Sequence, residues 1–489
     1  FQLPLSQFLH TFCFLSSFFF FLMLRRPPRS TLCPYTTLFR SSIKDTGYDV
    51  ANSCRFNGAS DDGLNRTLGT PTNNYKWTIS FWLKRTELGV EDAIMTSFTN
   101  TQNRGMLLFR TDDQLEILDL QSDSYVMQKK TNRKFRDVSA WYHIVISSDA
   151  TLSSPETKFY VNGVEETSFA TTNEYTQNQA NKWNSAIANY IGNDSSTRDF
   201  SGYLAEFVFV DGQALAADQF GEFDEDSAIW KPIDVSGLTF GNNGFYLDFE
   251  DSSNLGNDAN GGTDWTVSNL TAVDQSTDTC TNNFATWNGV KPLTRGALSE
   301  GNLVFTGVSG NETTYSSIGA SSGKWYFEVK GTTNGDRMSV GCAQKFVQGD
   351  QHQQTTNTNG IGYDGVTGSL YVNNSDVATY STYSNTDIIG VALDLDNRKI
   401  YFSVNGTWQN SADPSAGSNG YPIKSNLSDE DVRFFAVSAM SGSGATAWSA
   451  YYGSRQLSIS SGNSDPNSYV NFDYGPEWIY ALTSQNREQ

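Results

Sequence analysis

Two carboxylates on one face of a strand are the groups in this chain that could cut a glycosidic bond. One carboxyl protonates the leaving oxygen and the other acts as nucleophile or base, so both must face the same cleft. A glycosidase strand can carry its acids at the three-acid spacing Glu-x-Asp-x-x-Glu. Residues 222–227, EFDEDS, approach this spacing, but their last position is serine. Asp248 and Glu250 would share a strand face, but the third acid of the spacing is missing. We interpret both groups as acidic surface and expect no catalytic residue and no enzyme.

A serine or cysteine nucleophile needs a nearby base, and histidine is scarce here. The chain has three histidines: His10, His143 and His352. His143 alternates with apolar neighbours in a predicted strand, and His352 lies in a loop rich in Gln, Thr and Asn. These positions do not assemble a triad, although catalysis by Asp or Glu alone stays open as an alternative.

Loop oxygens could hold calcium, which prefers hard ligands. Asp194 and Asp199 lie near each other in a polar loop, and residues 251–262 are rich in Asp and Asn. Neither segment has the EF-hand spacing, and ordinary turn chemistry also explains them. The sequence predicts no cofactor. Calcium, bound by Asp194 and Asp199, is the alternative.

Aromatic side chains in glycine- and serine-rich surroundings could stack on sugar rings. The candidate ligand-binding residues are Trp183, Trp408, Trp448, Tyr451 and Tyr452. We expect them on loops, although aromatic residues in a β-sandwich more often belong to the core.

The elements that would position these residues are hairpins. Residues 388–408, IIGVALDLDNRKIYFSVNGTW, alternate apolar and polar side chains on both sides of a polar turn, which predicts a half-buried hairpin. Residues 141–163 repeat this pattern. In both segments the second strand leads into Val-Asn-Gly, where Asn-Gly tolerates the positive φ of a tight turn. Two such hairpins predict two separate antiparallel β domains.

Length and charge narrow the functional classes. The chain has 489 residues and a net charge of −20, which disfavours nucleic acid and anionic membranes as partners. Beyond residue 41 it has three cysteines, Cys54, Cys280 and Cys342, without a CxxC motif. That is neither a disulfide framework nor a zinc site.

Residues 1–41 do not share this pattern. The apolar run 8–24 has no basic residue before it, and RRPPR follows it, which is the reverse of a signal peptide. The string RRPPRSTLCPYTTLFRS resembles translated sequencing-adapter sequence. We expect residues 1–41 to be non-native or disordered, with a secretion segment or a membrane anchor as alternatives. We also expect the native chain to start near Ser41, its true N-terminus missing, and the tail 479–489 to be truncated.

The first predicted domain resembles the laminin-G-like jelly rolls of the concanavalin-A-like superfamily. The resemblance rests on FNG (56–58), TISFWLK (78–84), WYHIVIS (141–147), KFYVNGV (158–164), IGN (191–193) and FSGYLAEFVFVDGQALAADQF (200–220). It places this domain at residues 45–250.

The second predicted domain, residues 301–478, resembles the SPRY domain. Its motifs are GKWYFEV (323–329), SVGCA (339–343), IGYDG (361–365), the hairpin at 387–408, YPI (421–423) and VNFDYG (470–475). Asp473-Tyr474 departs from the family, which usually passes from Asn-Phe directly to Gly. Residues 251–300 are predicted to be a Gly/Asn/Asp-rich linker with one strand. The sequence of this linker resembles connectors in predicted phage structural proteins.

The predicted fold class is all-β, with two antiparallel jelly-roll sandwiches of the concanavalin-like type in tandem. The resemblance implies a non-enzymatic recognition or adhesion protein that binds a host-surface glycan or protein as a phage tail-fibre or virion component. It implies a virion or extracellular location and a homotrimer within a fibre. The acidic net charge predicts no nucleic acid and no membrane insertion. The alternatives are a polysaccharide-active enzyme or its carbohydrate-binding modules, and a secreted bacterial adhesin.

Overall fold

The computed structural model describes residues 48–487, except 195–196, 291–292, 308–311, 332–337, 345–359, 424–431, 440–445, 453–461, 469 and 476–477. The expectation for residues 1–41 therefore lies outside the described residues. No helix within the described ranges is long and apolar enough to cross a membrane. The predicted all-β fold is confirmed: the chain forms antiparallel sandwiches and almost no helix.

The first sandwich begins at residue 53 and extends into the predicted linker. Its strands are β1 (Ser53–Phe56), β2 (Gly63–Thr67), β3 (Lys76–Arg85), β4 (Asp92–Asn100), β5 (Asn103–Phe109), β6 (Gln114–Gln121), β7 (Ser124–Lys134), β8 (Tyr142–Asp149), β9 (Glu156–Val161), β10 (Val164–Glu166), β11 (Phe169–Asn173), β12 (Ala188–Ile191), β13 (Gly202–Asp211), β14 (Gly221–Phe223), β15 (Trp230–Pro232), β16 (Phe245–Leu247), β17 (Thr266–Ser268) and β18 (Gln275–Ser276). Single 3-10 turns cover Gly58–Ser60, Ala217–Gln219 and Ala272–Asp274.

Two facing sheets enclose the first core. One sheet has the order β10-β9-β8-β3-β13-β1-β18, with β16 beside β13, and the other has the order β11-β7-β6-β5-β4-β12-β2-β17. Strand β3 contributes every second residue, Trp77, Ile79, Phe81 and Leu83, to the space between the sheets. Strands β14 and β15 form a separate two-stranded ribbon.

The second sandwich is built from β19 (Gly296–Ser299), β20 (Val304–Gly307), β21 (Glu312–Tyr315), β22 (Lys324–Gly331), β23 (Met338–Ala343), β24 (Ile361–Asp364), β25 (Ser369–Val372), β26 (Ser375–Thr379), β27 (Ile388–Asp394), β28 (Lys399–Val404), β29 (Thr407–Trp408), β30 (Tyr421–Pro422), β31 (Phe434–Ala439), β32 (Thr446–Tyr451), β33 (Asn463–Ser464), β34 (Asn471–Phe472) and β35 (Tyr480–Ala481). A 3-10 turn covers Gln409–Ser411, and the short helix α1 covers Ser484–Arg487.

The predicted hairpin at 388–408 forms part of this sandwich. Its strands β27 and β28 belong to the sheet β19-β20-β32-β22-β27-β28-β29, which faces the sheet β21-β31-β23-β24-β25-β26. Ile389, Val391 and Leu393 point into the core between the sheets, while Ala392 and Tyr401 join a second cluster on the opposite face. The C-terminal residues Phe472 and Ile479 cover that second cluster.

The segment between the sandwiches is packed against both of them. Lys84 in β3 is fully buried, and its Nζ donates to Asp278 Oδ2 at 2.7 Å, Asn283 Oδ1 at 2.8 Å and the Phe284 carbonyl at 2.9 Å. These bonds use all three ammonium protons. On the other side, the Asn283 backbone N–H donates to Ser484 Oγ at 2.9 Å. Residues 251–300 also supply β17 and β18 to the first sandwich and β19 to the second.

Candidate functional site

Three of the aromatic residues proposed for ligand binding lie in the two cores. Trp183 is fully buried beside Trp77, with ring centroids 5.9 Å apart. Trp448 in β32 and Tyr452 are also fully buried, and Tyr452 packs on Trp287 at 5.4 Å. Trp448 lies in a strand, whereas Trp183 and Tyr452 lie outside the strands as expected. All three rings are nevertheless buried, because burying so much apolar area outweighs their polar sequence neighbours. A ring without exposed surface offers no face to a ligand.

Trp408 keeps part of its indole exposed. It pairs with Ser403 across the turn between β28 and β29. Its ring packs edge-on against Tyr326 and Tyr401, with centroids 6.3 Å and 6.4 Å away. These two tyrosines hold the indole in one orientation. Tyr451, the fifth candidate, ends β32, where its backbone pairs with Glu328.

Tyr474 is an exposed aromatic residue that the sequence reasoning missed as a site residue. Its side chain is 40% exposed and lies on the Asn405-Gly406 turn, where a Cβ on Gly406 would be 2.7 Å from the phenol ring. Trp408 and Tyr474 thus flank the same turn, and we call Trp408, Tyr474 and Asn405-Gly406 the aromatic shelf. The signal for Tyr474 was the Asp473-Tyr474 departure from the usual SPRY motif.

A buried carboxylate holds Tyr474 in place. Glu328 in β22 accepts the backbone N–H of Asp473 at 2.9 Å and that of Tyr474 at 2.7 Å, and the hydroxyl of Tyr326 donates to it at 2.9 Å. Burial raises the pKa of Glu328 to about 7, against the lowering effect of these hydrogen bonds. The central strand thereby fixes the backbone that carries Tyr474.

Polar groups accompany the shelf. Asn405 Oδ1 accepts the Ile388 backbone N–H at 2.9 Å, and its amide donates to Asp387 at 2.7 Å. Asp387 also accepts the Ser384 backbone N–H at 2.8 Å, and hydrogen bonds to Ser384 and Asn405 help keep its pKa below the usual value. An ionised carboxylate beside the turn that carries two aromatic rings can accept hydrogen bonds from hydroxyl groups of a ligand, while the rings contact an apolar face of that ligand.

The candidate calcium ligands have protein partners. Asp194 accepts the backbone N–H groups of Thr197 at 3.0 Å and Arg198 at 3.2 Å, and the Arg198 guanidinium donates to it at 2.7 Å. Burial, together with Asp61 and Asp194, raises the pKa of Asp199 to about 6. Among the described residues, no group of three or more His, Cys, Asp or Glu side chains is arranged to hold a metal ion. The contacts of Asp194 are those of a turn closed by an ion pair.

His143 lies next to a serine in a geometry that opposes nucleophilic catalysis. Trp230 Nε1–H donates to His143 Nδ1 at 2.8 Å, and His143 Nε2 lies 2.9 Å from Ser80 Oγ. An indole N–H can only donate, so Nδ1 is the acceptor and the ring proton of neutral His143 is on Nε2. Nε2 therefore donates to Ser80 and cannot take its proton. Burial lowers the pKa of His143 to about 3, so the ring stays neutral.

Acidic residues within 222–227 and at 248 and 250 form hydrogen bonds within local turns. Asp224 accepts the backbone N–H of Ser227 at 2.7 Å and binds Lys231 Nζ at 2.6 Å. Asp248 accepts the backbone N–H of Glu250 at 3.1 Å. These contacts fold the local chain, and neither group presents the three-acid strand pattern of the glycosidase alternative.

The three cysteines among the described residues are free thiols. Cys54 and Cys342 are buried, and Cys280 is half-buried. Burial raises the pKa of the Cys342 thiol to about 11, which keeps it protonated and unreactive.

Comparison with known families identifies both sandwiches. Residues 57–219 match the Laminin_G_3 family model, described as concanavalin A-like lectin/glucanases superfamily, and residues 324–423 match the SPRY domain. The chain therefore contains a laminin-G-like, concanavalin A-like domain followed by a SPRY domain. Among proteins of curated function, none matches the chain.

Solved structures similar to parts of the chain include the SPRY domain of human HERC1, at 20% identity and a TM-score of 0.25, covering 30% of this chain and 87% of that one. The native heptameric SAP-like pentraxin from Limulus polyphemus is 16% identical, with a TM-score of 0.27, 35% of this chain covered and 81% of that chain. Domain 4 of the extracellular arabinanase AbnA from Geobacillus stearothermophilus, solved with arabinotriose, is 19% identical, with a TM-score of 0.26 and coverages of 34% and 73%.

The two matched families support a binding or recognition role, because one is lectin-like and the other is a binding fold. This assignment is consistent with a protein that is not an enzyme. Rigid sandwiches commonly carry binding residues on the loops and turns at the ends of their strands. The aromatic shelf lies at such a turn.

Proposed function

We propose that the protein is a non-enzymatic recognition protein that binds a cell-surface glycan or protein, as part of a phage tail fibre or another virion appendage. The observation that carries this proposal is the exposure of Tyr474 and the partial exposure of Trp408 at one turn, which Asn405 and Glu328 hold in place. A fixed aromatic surface binds with little loss of conformational entropy.

A glycan suits the chemistry of the shelf. The C–H face of a sugar is apolar and can lie on an aromatic ring, while its hydroxyl groups need hydrogen-bond partners. The shelf supplies the rings of Trp408 and Tyr474, and the Asp387 carboxylate lies beside the same turn. The side chain of Thr407, at the same turn, is exposed.

The virion assignment rests on the resemblance of the domain order and of the connector to predicted phage structural proteins. A homotrimeric fibre and a virion or extracellular location belong to the same proposal. The fixed segment between the sandwiches suits this role, because it allows two binding domains to be displayed together.

The proposal is tested by measuring binding of the chain to a glycan array and to whole bacterial cells, with calcium and with chelator. We expect binding to a restricted set of glycans or strains. Loss of binding on chelation would show that recognition requires a calcium ion. Unchanged binding would show recognition without an ion. Absence of binding together with release of sugar from a polysaccharide would overturn the proposal in favour of an enzyme.

A further inference from the structure

Trp230 anchors the β14–β15 hairpin on the first sandwich. Its Nε1–H donates to His143 Nδ1 at 2.8 Å. Its ring lies on the turn at Gly163, where a Cβ would approach the indole to 2.2 Å. Phe223 packs edge-on against the same ring, with centroids 4.8 Å apart. The hairpin is therefore held against the turn that joins β9 to β10.

Large apolar side chains around this anchor face the solvent. Val164, Phe223 and Ile229 are 56%, 49% and 56% exposed. Val164 follows the glycine that Trp230 covers, and Ile229 precedes Trp230 in the chain. Single exposed apolar residues are ordinary, but several around one anchored indole indicate an interaction surface. We call Val164, Phe223, Ile229 and Trp230 the hairpin patch.

Carboxylates border the hairpin patch. The exposed acidic side chains here are Glu165, Glu222, Glu225 and Asp226. Residues 218–231 contain five acidic residues and one basic residue, and that residue, Lys231, is bound by Asp224 at 2.6 Å. This charge repels anionic polymers and a second copy of a chain with net charge −20. It attracts a cationic partner.

A free sheet edge lies next to the patch. Within the described residues, β10 ends its sheet, with β9 as its strand neighbour. The outer edge of such a strand can pair its backbone groups with an extended chain, and alternate side chains of that chain then reach neighbouring pockets. This edge favours a polypeptide over a sugar as the occupant.

We propose that the hairpin patch and the edge of β10 bind an extended segment of another protein, in which Lys or Arg residues flank apolar side chains. The apolar side chains cover Phe223 and Ile229, and the basic groups pair with the bordering carboxylates. This inference goes beyond the proposed function, which uses the aromatic shelf of the other sandwich.

Selection of a random peptide display library on the intact chain tests this inference. We expect the enriched peptides to combine basic and apolar residues. Their affinity should fall at least 10-fold in the double variant Phe223→Ser/Ile229→Ser and several-fold in Glu222→Gln/Glu225→Gln. It should also fall between 50 and 300 mM NaCl, since salt screens exposed charges.

Val366→Ser is the matched control, because Val366 is also about half exposed (51%) but lies in the second sandwich. It should leave peptide affinity unchanged. The exposed positions of Phe223 and Ile229 keep the variants folded, which a thermal melt checks. Failure to enrich any peptide, enriched peptides without basic residues, or unchanged affinity in Phe223→Ser/Ile229→Ser would overturn the inference. Loss of neutral-glycan binding in that variant would overturn it too, by making the patch a glycan site.

Discussion

The side chain of Asn162 extends the β8–β9 pairing onto the backbone of His143. Asn162 Oδ1 accepts the His143 N–H at 2.8 Å, and the Asn162 N–H donates to the His143 carbonyl at 2.9 Å. Asn405 makes the same two contacts with Ile388, at 2.9 Å and 2.8 Å. Each asparagine has φ near +48° and precedes a glycine that an aromatic ring covers, Trp230 at one turn and Tyr474 at the other. Both sandwiches thus build a proposed binding surface on the same kind of turn.

Replacing either asparagine by alanine should destabilise its own sandwich by about 1–3 kcal/mol. The substitution removes the side-chain hydrogen bond to the strand backbone. It also leaves alanine, whose side chain forms no hydrogen bond, at a positive φ. Urea unfolding, followed by probes in each sandwich, measures the effect. Asn162→Gly and Asn405→Gly tolerate the backbone conformation and should lose less. Equal losses for Ala and Gly would assign the whole effect to the side-chain hydrogen bonds.

Lys84→Met should destabilise the junction between the sandwiches by about 3–5 kcal/mol, because Asp278 would remain buried without its cation. The Phe284 carbonyl and Asn283 would also lose their donor. Calorimetry should then resolve separate unfolding transitions for the two sandwiches. Lys158→Met is the control, because its pair with Glu156 is exposed and 3.5 Å long. It should change stability by less than about 1 kcal/mol.

The stability of the first sandwich should depend on pH through His143. Its folded pKa of about 3 lies below the ordinary value of 6.5, so the unfolded chain takes up a proton that the native state does not. This contribution is complete above pH 6.5 and falls by about 1.4 kcal/mol per pH unit as the pH drops towards 3. His143→Gln should show a smaller slope of unfolding free energy in that window. Identical slopes would contradict the assignment.

Glu206 should have the opposite dependence. Burial raises its pKa to about 7, while the hydroxyls of Tyr48 and Tyr246 donate to Oε2 at 2.8 Å and 2.6 Å. The native state keeps a proton that the unfolded chain loses above pH 4.5, so this contribution to stability declines as the pH rises through 7. Glu206→Gln should match the wild type near pH 4.5 and be more stable by up to about 3 kcal/mol at pH 8. Thermal melts across this pH range measure the difference.

The strands and the Asn-Gly turns were predictable because their signals are local. Alternation along residues 388–408 fixes which side chains of β27 and β28 face the core, and Asn-Gly supplies the positive φ of both turns. Family motifs then identified both sandwiches. These signals involve neighbours within a few residues.

The candidate site was less predictable because its contacts join distant parts of the chain. Trp183 has a polar local sequence, yet Trp77, 106 residues earlier, packs against it in the core. Lys84 forms a salt bridge with Asp278, which lies 194 residues later in the chain. Tyr474 lies on Gly406 while its backbone N–H is bound by Glu328, 146 residues earlier in the chain. A single sequence does not show such partners.

The most direct test of the recognition proposal is the affinity of Tyr474→Ala for the glycan or cell type that the wild type binds best. Removing the exposed ring should weaken binding at least 10-fold, on the order of 1.4 kcal/mol. Tyr125→Ala removes a ring of similar exposure, 48% against 40%, from the first sandwich and should leave affinity unchanged. Unchanged affinity in Tyr474→Ala, in a protein that melts like the wild type, would contradict the shelf as the recognition site.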